Sequence, residues 1–173
     1  MKAALEEFAL HGYEATSIAQ IARTAKVSKG LLYNYFTSKE GLLEELILDA
    51  VNQSQESMNE LITPDPGETL ENILTWVFRE LRQNTKYWKL TTELSFKLKR
   101  FEFIHDLALS KMTQFVAFGG GLLAELGFDN PEQEARVLGA LIDGIAIHYV
   151  TMGKDYPMDQ MESFLIDKYC RKK

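Results

Sequence analysis

The sequence predicts an all-α protein of about nine helices. Apolar residues recur with helical spacing along almost the whole 173-residue chain, and strand-like alternation is almost absent. Capping residues and helix breakers divide this pattern into segments, and the clearest break is TPDPG at residues 63–67. Because 46% of the residues are apolar, the chain can build a substantial core.

Four helices are predicted before the break. The first ends at Gly12, and Ser17 and Ser28 are suitable caps for two short helices that follow. Ser38 can cap a fourth helix that runs to about Leu61. The second and third helices are therefore short and joined by a tight turn.

Five longer helices are predicted after the break, over about 68–83, 86–99, 102–126, 130–152 and 157–170. The third of these contains three consecutive glycines, Gly119–Gly121. Glycine weakens a helix interior, so the triplet marks a kink, a close-packing point or a hinge, or else a loop between two shorter helices.

Bulk composition narrows the class of protein. The net charge of −6 argues against indiscriminate nucleic-acid binding. The single cysteine, Cys170, excludes an internal disulfide, suits a reducing compartment and is expected to have no chemical role. No apolar run approaches the roughly 20 residues that span a bilayer, and the N-terminus lacks a signal-peptide pattern. We therefore expect a cytoplasmic protein without a membrane partner.

Residues 16–39 form a positive island in this acidic chain. The island contains Arg23, Lys26, Lys29 and Lys39 and no acidic residue, which leaves the rest of the chain at −10. Its two short helices and tight turn have the pattern of a helix-turn-helix, whose second helix enters the major groove of DNA. The residues expected to face inward are Ile18, Ile21, Ala22, Ala25, Val27, Leu32 and Phe36.

The other positions of the island and its flanks are candidates for DNA contact. Lys29 can reach guanine or phosphate, Leu31 a thymine methyl, and Asn34 adenine or phosphate. Gly30 allows close backbone approach. Tyrosine hydroxyls and residues at helix starts can meet phosphate, although Tyr33 can also be core and Lys39 can instead cap a helix or pair with a glutamate. The predicted DNA-binding residues are Thr16, Ser17, Lys29, Gly30, Leu31, Tyr33, Asn34, Tyr35 and Lys39.

The island belongs to a longer pattern that resembles a known family. The chain contains F-x₃-G-Y-x₂-T, I-A-x₂-A, V-S-x-G-x-L-Y-x-Y-F and K-x₂-L-L without a gap between residues 8 and 43. This pattern resembles the N-terminal domain of Tet-repressor (TetR) family regulators. The resemblance implies a DNA-binding domain at residues 1–47 and a helical effector-binding and dimerisation domain at 48–173. It also implies a basic arm and a longer first helix before Ala3, so we expect the first helix to be shortened here.

The function implied by the resemblance is that of a dimeric repressor. Such a protein leaves a palindromic double-stranded DNA operator when a small apolar or amphipathic molecule binds. An alternative is the same DNA-binding fold controlled by a protein partner or by no effector. An enzyme is the least favoured alternative, because no nucleophile–base pair, metal-ligand spacing or phosphate loop is recognisable. We therefore expect no catalytic residue, metal or cofactor.

The region between residues 68 and 126 is rich in aromatic residues with a few polar groups among them, which is typical of a small-molecule pocket. The same aromatics can instead fill a helical core. The predicted ligand-binding residues are Trp76, Trp88, Thr92, Phe96, His105, Phe115 and Phe118.

The last two predicted helices carry apolar stripes, and the first of them also has small residues that permit close helix approach. They resemble the helix pair that forms a four-helix dimer interface in this family, although each stripe can also face its own core. The predicted dimerisation residues are Leu138, Leu141, Ile142, Ile145, Tyr149, Met161 and Leu165.

Overall fold

The computed structural model describes residues 1–97 and 101–171, and within them it has α-helices, one short 3-10 helix and no strand. The all-α prediction is confirmed. Most helices begin and end within two residues of their predicted limits. The predicted end of the sixth helix, Lys99, lies outside the described residues, and the helix ends at Ser95. The helices are α1 (Lys2–His11), α2 (Ile18–Thr24), α3 (Lys29–Tyr35), α4 (Lys39–Asn59), α5 (Pro66–Gln83), α6 (Thr85–Ser95), α7 (Glu102–Glu125), α8 (Pro131–Met152) and α9 (Met158–Cys170).

Serine caps fix the starts of the three helices that follow α1, as the sequence predicts. The Ser17 hydroxyl accepts from the Gln20 N–H at 3.2 Å, and the Gln20 side chain accepts from the Ser17 N–H at 2.8 Å. Ser28 and Ser38 each accept from the N–H three residues later, at 3.1 and 2.9 Å. These bonds satisfy backbone donors that have no partner within a helix, so each helix has a defined start.

The chain forms two compact units, and neither is continuous in sequence. The first comprises residues 1–57 and 86–104, and the second comprises residues 58–85 and 105–173. This division differs from the predicted boundary after residue 47, which marks the end of the sequence motif and stays a prediction of functional organisation. The chain passes between the units at three places, each inside a helix: α4, α6 and α7.

The first unit has an aromatic cluster in its core. Phe8, Tyr13 and Phe101 are all buried. The Tyr13 ring lies 5.3 Å from the ring of Phe8 and 5.1 Å, edge to face, from that of Phe101. Such ring pairs stabilise a core beyond the area they bury, so the residues just after α1 are firmly packed.

The second unit is built around α5 and α9, with α7 and α8 beside them. Phe78, Leu123 and Tyr169 are fully buried within it. The TPDPG break is an ordered helix start, because the Thr69 hydroxyl accepts from the Thr63 N–H at 2.9 Å and donates to the Thr63 carbonyl at 3.1 Å.

The glycine triplet lies inside one continuous helix, so the alternative of a loop between two helices is wrong. Gly120 is buried, and a Cβ atom there would lie 3.4 Å from the Glu132 Cγ and 3.5 Å from its Cα. A Cβ atom on Gly121 would meet nothing within 4 Å. Gly120 therefore permits the close approach of α7 to α8, whereas Gly121 has no such role.

Two long helices, α7 and α8, leave much apolar surface uncovered. By length and composition, α7 and residues 131–155 could span a membrane, with hydropathies of 1.2 and 1.3, although the sequence predicts no such run. Core helices of non-membrane proteins pass the same test. Only 17% and 22% of the most apolar 18-residue stretch of each is buried, so much of this apolar surface is exposed within the described residues.

We predict opposite effects for leucine at the two adjacent glycines. Gly121→Leu should stabilise the protein by up to about 1 kcal/mol, because it removes a helix-interior glycine at an open position. Gly120→Leu should destabilise it by about 1–3 kcal/mol, because its side chain would press on the backbone of α8. Urea unfolding of both variants measures the difference, and equal stabilities would contradict the packing described.

Candidate nucleic-acid interface and apolar cavity

The turn between α2 and α3 is fixed by two backbone hydrogen bonds. The Val27 N–H donates to the Ala22 carbonyl at 3.0 Å, and the Lys26 N–H donates to the Arg23 carbonyl at 3.1 Å. Lys26 has a left-handed backbone, with φ of 56°. This is the Schellman arrangement that ends many helices, and it directs the chain straight into α3.

The packing of α3 is looser than the sequence predicts. Ala25 and Val27 are exposed, because the chain already turns away from the core at the end of α2. Leu32 and Phe36 are only half-buried, and α3 buries no residue fully. The prediction that Ala25 and Val27 face inward is therefore wrong, and α3 is a surface helix.

Most of the predicted DNA-reading residues lie exposed on α3. Lys29, Leu31, Tyr33, Asn34 and Tyr35 are exposed, and Tyr35 keeps 75% of its surface accessible. The Lys29 ammonium lies 5.6 Å from the centre of the Tyr33 ring. The alternative that Tyr33 is a core residue does not hold. The helix thus presents cationic, amide, phenol and apolar groups together, which is the mixture that reads base edges and phosphates.

Gly30 has no packing reason to be glycine. A Cβ atom there would meet only the Ser28 hydroxyl, at 4.0 Å. Glycine in a helix costs up to about 1 kcal/mol relative to alanine. Its presence is consistent with the predicted close approach of a DNA backbone.

Three residues at helix starts that are predicted to contact DNA also form hydrogen bonds within the protein. Thr16 is buried, and its hydroxyl donates towards the Glu7 and Gly12 carbonyls at 3.1 and 2.8 Å. The Ser17 hydroxyl, although exposed, is the cap of α2.

Lys39 is the third, and its bonds are the most extensive. Its ammonium donates to the carbonyls of Tyr13, Glu14 and Thr16 at 2.8, 3.2 and 2.9 Å, and it lies 4.3 Å from the centre of the Tyr13 ring. Because a lysine ammonium has three N–H donors, these bonds use its full capacity. Lys39 therefore ties α4 to the turn between α1 and α2.

A cavity of about 90 Å³ lies inside the second unit. Its walls are apolar side chains of α5, α7 and α8 together with Met58 at the end of α4. The cavity is lined by Met58, Leu70, Ile73, Leu74, Val77, Phe115, Phe118, Gly119, Leu122, Leu123, Ala135, Leu138 and Ile142. The site is thus suited to an uncharged apolar molecule.

The predicted ligand-binding residues are not gathered in one place. Phe115 and Phe118 line the cavity, whereas Trp76 and His105, in the same unit, do not. His105 is exposed, with its Nδ1 atom 3.3 Å from the Asp106 carboxylate. Trp88, Thr92 and Phe96 belong to the first unit, and Phe96 is 81% exposed. The sequence analysis missed most of the cavity lining, although its apolar stripe on α5 includes Leu70, Ile73, Leu74 and Val77.

The predicted dimerisation residues divide into three groups. Leu138, Ile145 and Leu165 are buried in their own unit, and Leu138 also lines the cavity with Ile142. Tyr149, Met161 and Ile142 are half-buried, and only Leu141 is exposed. The large exposed apolar residues of α8 and α9 are Val137, Leu141, Ile147, Met152 and Phe164.

Two further observations concern reactive and metal-binding groups among the residues that the structure describes. Burial and the nearby Glu71 charge raise the pKa of Cys170 to about 11, so the thiol stays protonated near neutral pH. Among residues 1–97 and 101–171, no group of three His, Cys, Asp or Glu side chains is placed to hold a metal ion.

An exposed helix with a lysine at its start, which follows a capped helix and a fixed tight turn, defines a helix-turn-helix DNA-binding protein. Residues 1–46 match the family described as bacterial regulatory proteins, tetR family. The HTH-type transcriptional regulator BetI of Serratia proteamaculans is 30% identical over 95% of this chain and 84% of its own length. The chain therefore belongs to the TetR family, and it is a DNA-binding transcriptional regulator.

Solved structures share the fold across nearly the whole chain. The fatty acid degradation regulator FadR from Bacillus halodurans has a TM-score of 0.78 and 21% identity, covering 95% of this chain and 91% of its own. A Saccharomonospora viridis regulator solved in complex with choline has a TM-score of 0.76 and 21% identity, covering 96% and 93%. At these identities the likeness concerns the fold alone.

We predict that Lys39→Met destabilises the first unit by about 1–3 kcal/mol, because three carbonyls lose a charged donor. Lys29→Met is the matched control, and it should change stability by less than about 0.5 kcal/mol because Lys29 is exposed on α3. Chemical denaturation followed by circular dichroism gives both values. A Lys39→Met variant as stable as the control would contradict the role assigned to Lys39.

Proposed function

We propose that the protein is a homodimeric repressor that leaves a palindromic DNA operator when a small apolar molecule occupies the cavity of its second unit. The observation that carries the DNA-binding half of this proposal is α3, which exposes Lys29 and two tyrosines and buries no residue. The cavity favours a small molecule over the alternatives of a protein partner or no effector, because a fully packed core would leave no room for one.

The chemistry of the cavity favours an apolar effector. All of its lining side chains are apolar, so a bound charge would have no partner and would carry a large desolvation cost. A quaternary ammonium such as choline is bound by aromatic faces, and only Phe115 and Phe118 among the lining residues are aromatic. A short alkyl chain or a single ring matches both the size and the polarity of the site.

The uncovered apolar surface of α8 and α9 supports a dimer. Val137, Leu141, Met152 and Phe164 keep between 38% and 60% of their surface exposed. A second copy of the chain would cover them through an isologous interface, which is the usual arrangement of a homodimer. Two-fold symmetry would also present two copies of α3 to the half-sites of a palindromic operator.

The regulatory mechanism is a shift between two populations of the dimer. Ligand in the second unit favours a state with lower operator affinity, and by linkage the operator lowers the affinity for ligand. The helices α4, α6 and α7 each contribute residues to both compact units, so they are the covalent routes for this coupling. Such a regulator acts without catalysis, a cofactor or a membrane. It acts in the cytoplasm, where its DNA operator lies.

We predict that benzene and 1-hexanol raise the thermal midpoint and release bound DNA, whereas choline does neither. Apolar molecules stabilise the state whose cavity they fill, and the stabilisation grows with concentration over dissociation constant. Val77→Phe, which fills the cavity from α5, should abolish both effects while retaining DNA binding. If the variant and the original protein show equal changes in thermal midpoint and DNA release, the ligand binds outside this cavity. If only choline changes them, the effector is not apolar.

We predict that Leu141→Glu shifts the protein from dimer to monomer, because a carboxylate would be buried in the apolar interface. Leu10→Glu is the control, since Leu10 is an exposed leucine on α1 with 66% of its surface accessible. Light scattering after size-exclusion chromatography gives the mass of each variant. If the Leu141→Glu protein is still a dimer, the exposed face of α8 is not part of the dimer interface.

A further inference from the structure

Lys26 occupies a backbone conformation that lysine rarely adopts. Among the described residues, it is the only residue other than glycine with a positive φ, at 56°. The left-handed region brings the Cβ atom of an L-amino acid too close to the following carbonyl oxygen, whereas glycine enters it freely. Asparagine and aspartate relieve this strain through local hydrogen bonds, but a lysine side chain does not.

The side chain of Lys26 gives the fold nothing in return for this strain. It is exposed, and its ammonium has no hydrogen-bond or ion-pair partner among the residues that the structure describes. Lys39, in the same positive island, shows the contrast, because its ammonium is saturated by three carbonyls. The turn after α2 needs the left-handed backbone, but glycine would provide it without strain. A strained lysine whose side chain adds nothing within the described residues points to a functional contact.

The position of Lys26 suggests what that contact is. The residue lies in the turn that leads into α3, three residues after Arg23 and three before Lys29, in a stretch with no acidic residue. The two hydrogen bonds to Ala22 and Arg23 fix the backbone of this turn, so the side chain of Lys26 starts from a fixed point beside α3. A solvated ammonium on a fixed turn next to a DNA-reading helix is suited to bind a phosphate.

We propose that Lys26 binds a DNA phosphate and that lysine stands at this left-handed position for the sake of that interaction. The inference rests on the proposed operator binding and adds a residue outside the recognition helix. It requires that one substitution strengthen the fold and weaken the complex. A residue with only a structural role would change both in the same direction.

Lys26→Gly tests this requirement, with urea unfolding and DNA affinity measured on the same dimeric preparation. The DNA probe is a duplex that the original protein selects from a random-sequence pool. We expect the unfolding midpoint to rise and the affinity at 0.1 M salt to fall roughly five- to tenfold. The slope of log affinity against log salt should weaken by about 0.9 for each phosphate that the variant no longer neutralises. Lys26→Asn should weaken binding equally, and Lys26→Arg should preserve it.

Lys154→Ala is the matched control, because it removes one exposed positive charge from the second unit and should leave the affinity and salt slope unchanged. Unchanged affinity for Lys26→Gly would overturn the phosphate interaction, as would a reduced affinity without a change in slope. An unfolding midpoint that does not rise would overturn the strain. If the original protein selects no duplex at all, the proposed operator binding fails together with this inference.

Discussion

The ammonium of Lys39 bonds to three carbonyls in the turn between α1 and α2, and the orientation of the DNA-binding helices depends on it. One of those carbonyls belongs to Thr16, next to the Ser17 cap at which α2 begins. Another belongs to Tyr13, whose ring packs between Phe8 and Phe101. The start of α4, the start of α2 and the aromatic core of the first unit therefore meet at one charged group, and α3 follows α2 through a turn of fixed geometry.

Local chemistry made much of this unit predictable. Serine caps and the glycine that ends α1 act within a few residues of their own position, so the limits of the early helices could be recognised from the sequence. The role of Lys39 could not, because a cation at a helix start is unfavourable for that helix alone. Only the folded turn, which brings three carbonyls to one point, makes the position favourable. The DNA contact of Lys39 stays a prediction, and the structure adds three bonds within the protein that the sequence did not predict.

The second unit shows a different limit of sequence reasoning. Periodicity identifies an apolar stripe on α8 but not what covers it: Leu138 is buried in its own unit, whereas Leu141, one turn away, is exposed. A cavity is harder still to predict, since it is a volume that side chains fail to fill. Here Gly119 and Ala135 are small residues on facing helices, with Ala135 3.5 Å from the position of a Gly119 Cβ atom. The residues of the site are recognisable as core, and only their packing shows the space between them.

The central claim is that the exposed face of α3 reads the operator while contributing little to the stability of the fold. The most direct measurement is the operator affinity of Lys29→Ala combined with Tyr35→Ala, taken beside the urea unfolding midpoint of the same protein. The account predicts at least a tenfold loss of affinity, which is about 1.4 kcal/mol or more, with an unchanged midpoint. Operator binding equal to that of the original protein would contradict it and would move the reading surface away from α3.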